Sequence, residues 1–283
     1  MLVNLNDILF DAQKNKYAVG LFNTTDTDAI EAAITAAEQL RSPIILGTAE
    51  VLLRHGELQL IGPAMVNMAK KASVPVAIHY DHGLTYERCL EALEIGFSSV
   101  MYDCSVDSYA DNVRKLKEMA DIAHSFGATI EGELGHVGDN EDSKEGQSRM
   151  EDPSKFYTDP DTAKEFVERT GIDALAIAIG TAHGTYTCTP KLDIERLKAI
   201  RSKLDTPLVL HGGSGLPMSD LRECITNGIT KVNIFTDLYV AGKEAMTKLT
   251  GDYHDIRANR VQAMREIVKD KIMLFGSNGR VVD

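Results

Sequence analysis

Cysteine is scarce in this chain of 283 residues: Cys89, Cys104, Cys188 and Cys224 are widely spaced and form no CxxC pair. That spacing argues against a disulfide framework or a cysteine zinc ribbon, and reduced thiols are expected. Long apolar runs are missing as well. The start, MLVNLNDILFDAQKNK, has no basic stretch followed by an apolar one, and no window approaches the roughly 18 apolar residues of a membrane span. A soluble, cytoplasmic protein without a membrane partner is the expectation. Basic residues are in deficit, 30 Lys and Arg against 42 Asp and Glu, for a net charge of -12. This argues against nucleic acid as the main partner, because such binding runs on clustered cations that neutralise phosphates. A small phosphorylated ligand stays admissible, since backbone dipoles can hold it. No internal repeat or low-complexity linker interrupts the chain, so residues 1–283 read as a single domain.

The chain has 43% hydrophobic and 25% charged residues, enough for a large core. Short apolar, β-branched runs recur at Tyr17–Phe22, Pro43–Gly47, Val76–His79, Ser98–Tyr102, Thr129–Leu134, Ala174–Ile179, Leu208–His211 and Lys231–Ile234. Between them lie amphipathic stretches such as Asp26–Arg41, Ser108–Phe126 and Asp161–Thr170, each opened by a capping residue type. Eight strand-helix repeats predict an α/β fold, a (β/α)8 TIM barrel. The rival, an open doubly wound sheet, is disfavoured because no GxGxxG follows the first strand. Polar residues also recur at strand ends, namely Asn23, Thr48, Asp81 with His82, Asp103 with Ser105, Glu133, His183, His211 and Asn233. One polar connection, Gly135–Pro160, is long enough to be an active-site loop. Tyr253–Asp270 reads as an extra C-terminal helix.

Three of the eight histidines, His82, His183 and His211, sit just beyond strands and beside glycines. Imidazoles from three strands can converge at a barrel mouth and leave a fourth position open, the arrangement of catalytic Zn²⁺. A lone histidine there would more often be a general base or a structural residue. His79 lies three residues before His82, where pleat alternation directs it to the opposite face, and is expected to be structural. His55, His124, His136 and His254 are expected at the surface, with reserve for His136 because it opens the long loop. Asp81 is placed either to exchange a proton with substrate or to orient an imidazole. Asp103 and Glu133 fit the orienting role better. HGGSG after the seventh strand, with Thr236 opening the helix after the eighth, sits where many barrels bind phosphate. A metal-dependent hydrolase is the rival activity, but it commonly carries HxH after the first strand, which here ends in Phe22-Asn23.

In order, YDHG, MYDCS, EGELGHVG, AIAIGTAHGTY, LVLHGGSGL and KVNIFTDL resemble the class II ketose-bisphosphate aldolases, the tagatose-bisphosphate enzymes included, from about Tyr17 to Val240. The resemblance implies zinc on His82, His183 and His211, and proton exchange between Asp81 and the C4 hydroxyl of a small phosphorylated sugar. It implies that Asn233 steadies the enediolate, and that Gly184, Gly212, Gly213, Ser214 and Thr236 surround the phosphate of dihydroxyacetone phosphate. A monovalent cation (Na⁺ or K⁺) near that phosphate and a homodimer or homotetramer are implied too. Glu141, in the long loop, aligns with the family's second acid/base, although Asp139 and Asn140 replace the local Gly-Gly. Fructose-bisphosphate members bind the second phosphate with an arginine near the C-terminal helix. Here Arg257 and Arg260 are the candidates, and a longer sugar carrying a single phosphate is the alternative substrate.

Overall fold

The computed structural model describes residues 1–138, 153–186, 188–247 and 251–281. Its barrel strands are β2 (Val19–Asn23), β3 (Ile44–Ala49), β4 (Val76–Gly83), β5 (Ser99–Tyr102), β6 (Thr129–Leu134), β7 (Ala174–Ile177), β8 (Leu208–Leu210) and β9 (Ile229–Ile234). Every pairing is parallel, and the β4–β5 pairing closes the sheet into a barrel. A short β1 (Leu2–Val3) adds to the bottom of β4, with Leu2 opposite Val76.

Helices alternate with the strands: α2 (Thr27–Gln39), α3 (Leu58–Lys71), α4 (Tyr86–Ile95), α5 (Tyr109–Ser125), α6 (Pro160–Thr170), α7 (Ile194–Arg201), α8 (Met218–Thr226) and α9 (Thr236–Thr247). Asp26, Ser108 and Asp159 cap α2, α5 and α6 by accepting backbone N–H groups. The extra C-terminal helix α10 (Tyr253–Phe275) runs longer than its apolar pattern predicts. It packs on α2 and α9, and its Phe275 carbonyl accepts the Ala18 N–H at 3.1 Å. No described helix is long and apolar enough to cross a membrane.

Residue parity divides the core. Even-numbered strand residues such as Phe22, Leu46, Ile78, Val100, Ile130 and Val232 pack outward against the helices. Odd-numbered residues of the other strands point into the barrel, while β7 has the opposite parity, and Val19, Leu21, Ile45, Ala77, Ala174, Ala176 and Val209 form an apolar lower half. Leu5 and a helix that the sequence patterns did not single out, α1 (Asn6–Asn15), plug that end through Ile8, Leu9 and Ala12. Further up, the same parity places His79, Asp81, Glu131, Glu133, His211, Lys231 and Asn233 inside, all buried.

The expectation for His79 needs correcting in this respect. Its side chain faces the barrel interior with Asp81, and His82 is the residue that alternation would turn outward. A bulge intervenes: from Tyr80 to Gly83, β4 uses one residue more than β5 uses from Val100 to Tyr102. His82 takes up that residue with φ +43°, a left-handed conformation uncommon outside glycine, and so returns to the barrel mouth.

Candidate metal and phosphate site

The bulge at the end of β4 delivers Asp81 and His82 side by side. Asp81 is 2% exposed and accepts three hydrogen bonds, from Asn23 Nδ2 at 2.7 Å and from Asn233 Nδ2 at 3.1 and 3.2 Å. Burial would raise its carboxyl, but the positive charges of His82 and Lys231 outweigh burial and hold it well below the usual carboxylate range. Asp81 is therefore an anion with fixed orientation, able to accept a proton that a bound ligand makes acidic.

The rings of His82, His183 and His211 gather with centroids 4.5, 4.8 and 5.8 Å apart, and one ligand nitrogen from each lies within 4.8 Å of the others. His82 Nδ1 sits 2.7 Å from Asp103 Oδ2, which leaves Nε2 buried without a hydrogen-bond partner. His211 Nε2 sits 2.9 Å from Glu131 Oε1. Its Nδ1, 3.2 Å from Glu133 Oε2 but outside hydrogen-bonding direction, is likewise buried and unsatisfied. A carboxylate behind one nitrogen and a bare second nitrogen is how metal-binding imidazoles are set. Burial works against a proton on His211, yet Glu131 and Glu133 push its pKa up to about 10. Asp81, Asp103, Glu131 and Glu133 lie against these histidines or their neighbours, and among the described residues Lys231 is the ammonium buried with them, so this donor set fits a divalent cation. His79, Asp81 and Glu131 form a second cluster beneath, but there the Lys231 ammonium already supplies the cation, 2.8 Å from Glu131 Oε2.

Across the mouth, the turn after β8 packs backbone to backbone. Gly212 has φ +66°, and a Cβ there would lie 2.4 Å from the Ala182 carbonyl oxygen. Tyr186 ties the two turns, its hydroxyl donating to Gly212 O and accepting from Ala182 N–H, both at 2.9 Å. Ser214 Oγ accepts the Phe235 N–H at 3.0 Å, and Thr236 opens α9. Gly184, Gly212, Ser214, Asn233 and Thr236 line a cavity of about 360 Å³ together with Asp81, His82 and His183. Gly213 does not line it, and its N–H donates to Asn233 O at 3.1 Å. Exposed amides and a helix N-terminus beside a cation site can hold a phosphorylated oxygen ligand.

Other sequence candidates land elsewhere. Arg257 pairs with Asp28 and Glu31, and Arg260 with Asp26 and Asp28, so both bind α10 to α2 and neither lines the cavity. Thr48 is buried outside the cavity lining. His136 does line it, with Nδ1 3.1 Å from Ser105 Oγ, whereas His124 stays at the surface against Asp173. Glu141 lies outside the described residues. Sequence reading missed Glu131, Lys231 and Tyr186. The signal for the first two was a charge two residues before Glu133 and Asn233, on the same strand face.

Comparison with known proteins gives the same reading along the whole chain. Residues 3–280 match the family described as Fructose-bisphosphate aldolase class-II. The chain is 39% identical over 272 residues to the Escherichia coli protein YdjI, covering 95% of this chain and 96% of that one. It is 35% identical over 290 residues to a fructose-bisphosphate aldolase of Staphylococcus epidermidis, covering 99% of each. The crystal structure of the Escherichia coli YdjI aldolase superposes with a TM-score of 0.90 at 36% identity over 100% of both chains. With the histidine mouth and glycine turn inside the matched region, the chain belongs to the class II fructose-bisphosphate aldolase family, whose members are aldehyde-forming carbon-carbon lyases and generally metal-dependent.

Proposed function

We propose that the protein is a zinc-dependent aldolase that reversibly cleaves a ketose 1-phosphate or ketose 1,6-bisphosphate to dihydroxyacetone phosphate and an aldehyde such as glyceraldehyde 3-phosphate. One observation carries this reading: the buried, unsatisfied His82 Nε2 and His211 Nδ1 open toward His183, one residue from an ionised Asp81. His82, His183 and His211 hold the metal, and Zn²⁺ supplies Lewis-acid stabilisation of the negative charge that builds up as the C3–C4 bond breaks. Asp81 takes the C4 hydroxyl proton while Asn23 and Asn233 hold its carboxylate in place. Asn233 also faces the cavity, where its amide can donate to the developing oxyanion. Gly184, Gly212, Ser214 and Thr236 bind the C1 phosphate, with Na⁺ or K⁺ beside it, and Gly213 serves by close packing. Glu141 returns the second proton at C3. The assembly is a homodimer or homotetramer in the cytoplasm.

A specific observation favours a second substrate within the same chemistry, a longer sugar 1-phosphate whose aldehyde half carries no phosphate. The cavity wall away from the glycine turn is apolar, formed by Val51, Leu52, Leu84 and Val106. Arg257 and Arg260 are already paired with carboxylates. The test is release of dihydroxyacetone phosphate by zinc-loaded protein from a panel of ketose 1-phosphates and 1,6-bisphosphates. Release from at least one is expected, and silence across the panel refutes the aldolase reading. The ratio of kcat/KM between the two substrate sets decides the aldehyde half.

A further inference from the structure

Lys231 touches neither the proposed metal nor the cavity, yet the parts of the site meet at it. Its side chain is wholly buried inside the barrel. Nζ lies 2.8 Å from Glu131 Oε2 and donates to Asn233 Oδ1 at 2.8 Å. Two chains of contacts start there. Through Asn233 one reaches both oxygens of Asp81, and through Glu131 the other reaches His211 Nε2 at 2.9 Å.

Donor chemistry gives each chain a direction. An ammonium only donates, so the end of the Asn233 amide that meets it is the carbonyl, and the NH₂ end is left to face Asp81. Glu131, ion-paired but not hydrogen-bonded at Oε2, offers Oε1 to His211 Nε2, which makes Nε2 the protonated nitrogen of the neutral ring and leaves the Nδ1 lone pair to the mouth. A buried Lys–Glu pair is weak evidence of stabilisation, since well-packed apolar residues of similar volume often serve as well. Orientation is what apolar residues cannot supply.

We propose that Lys231 is the positioning residue of the site: it sets the Asn233 amide for proton transfer at Asp81 and the His211 tautomer for metal binding. This rests on the roles proposed above for Asp81 and His211. The first variant is Lys231→Met, read by Zn²⁺ competition against a chelator and by kcat and KM at saturating Zn²⁺. Zn²⁺ affinity is expected to fall about 10- to 100-fold, the usual effect of losing a residue behind a ligand. With orientation lost at Asp81, kcat is expected to fall about 100-fold with KM within a few-fold. Deleting a cation that acted only through its charge would tighten Zn²⁺ binding, so unchanged or tighter binding overturns the His211 half. A kcat near that of the parent overturns the Asn233 half.

Lys231→Met leaves the buried Glu131 carboxylate without its ammonium, which can unfold the protein. The double variant Lys231→Met/Glu131→Gln removes both charges. A parental melting temperature with kcat still depressed supports positioning, whereas recovery of kcat shows that Lys231 only balanced Glu131. In an Asn233→Ala background the double substitution should lower kcat little further. A full additional loss there would place its effect outside Asn233 and overturn that half. Zn²⁺ affinity is read without substrate, so a protein that cleaves no ketose phosphate refutes the aldolase reading while the His211 half is still tested.

Discussion

At His82 the chain holds a non-glycine residue at φ +43°, a conformation that costs of the order of 1–3 kcal/mol and persists only where the surroundings impose it. What it achieves is proximity: the imidazole proposed to bind metal and the Asp81 carboxylate come from adjacent residues and line one cavity. Replacing Asp81 by Asn keeps the shape and removes the proposed base. Turnover is expected to drop by about 100-fold or more with bound zinc retained, and unchanged turnover would remove Asp81 from catalysis. His79 bears on stability instead. Burial and then the Lys231 charge push its pKa down to about 4, so the folded state binds its proton less readily than the unfolded state. Between the unfolded value near 6.5 and about 4, the unfolded chain gains a proton that the folded one refuses. Stability should therefore fall with falling pH in that window by about 1.4 kcal/mol per unit. Chemical denaturation of metal-free protein at pH 7, 6 and 5 checks this, and His79→Asn should flatten the slope. The upward shift at His211 adds nothing there, because both states are protonated below its unfolded value and its contribution is lost only as pH rises toward about 10.

Among the elements, α10 is attached by charge to the start of α2. Arg260 is 18% exposed and reaches Asp28 Oδ2 at 2.7 Å and Asp26 Oδ2 at 2.6 Å, while Asp26 also caps α2 by accepting Ala29 N–H. Such a half-buried, two-carboxylate clamp stabilises more than an exposed pair and less than a fully buried one. Arg260→Met is therefore expected to cost about 1–3 kcal/mol, or roughly 2–10 °C in melting temperature. It should leave the KM ratio between a ketose 1,6-bisphosphate and its 1-phosphate unchanged. A selective rise in KM for the bisphosphate would return Arg260 to substrate binding.

Over the whole molecule, polarity climbs along the barrel axis, from the apolar plug of α1 to a mouth where, among the described residues, Asp81, Asp103, Glu131 and Glu133 lie among His79, His82, His183, His211 and Lys231. The lower half stabilises the fold, and the upper half is left with excess negative charge that the proposed divalent cation would neutralise. Metal removal should therefore abolish activity and also loosen the fold. At metal concentrations about 100-fold above Kd, binding stabilises by about 2.7 kcal/mol, a rise of roughly 5–10 °C in melting temperature. Chelator treatment followed by added Zn²⁺ in a thermal scan and an activity assay measures both. Activity persisting with no measurable bound metal would overturn the metal assignment.

Local pattern was enough for the repeating strands and helices, because a buried parallel strand needs a short apolar run and a helix needs its cap and its stripe. It was enough to expect His82, His183 and His211 at one mouth, where the rings do gather, since strand ends in such a repeat face one mouth. The first helix, α1, escaped because its apolar residues serve as a plug rather than a repeat. Tertiary structure alone decided the rest. A single bulge reverses the side-chain parity of β4, so no alternation rule could say that His79 and His82 both face inward. The partners of Arg257 and Arg260 lie more than 200 residues away, and the Lys231–Glu131 pair spans the barrel, so their roles follow from closure of the sheet rather than from neighbouring residues.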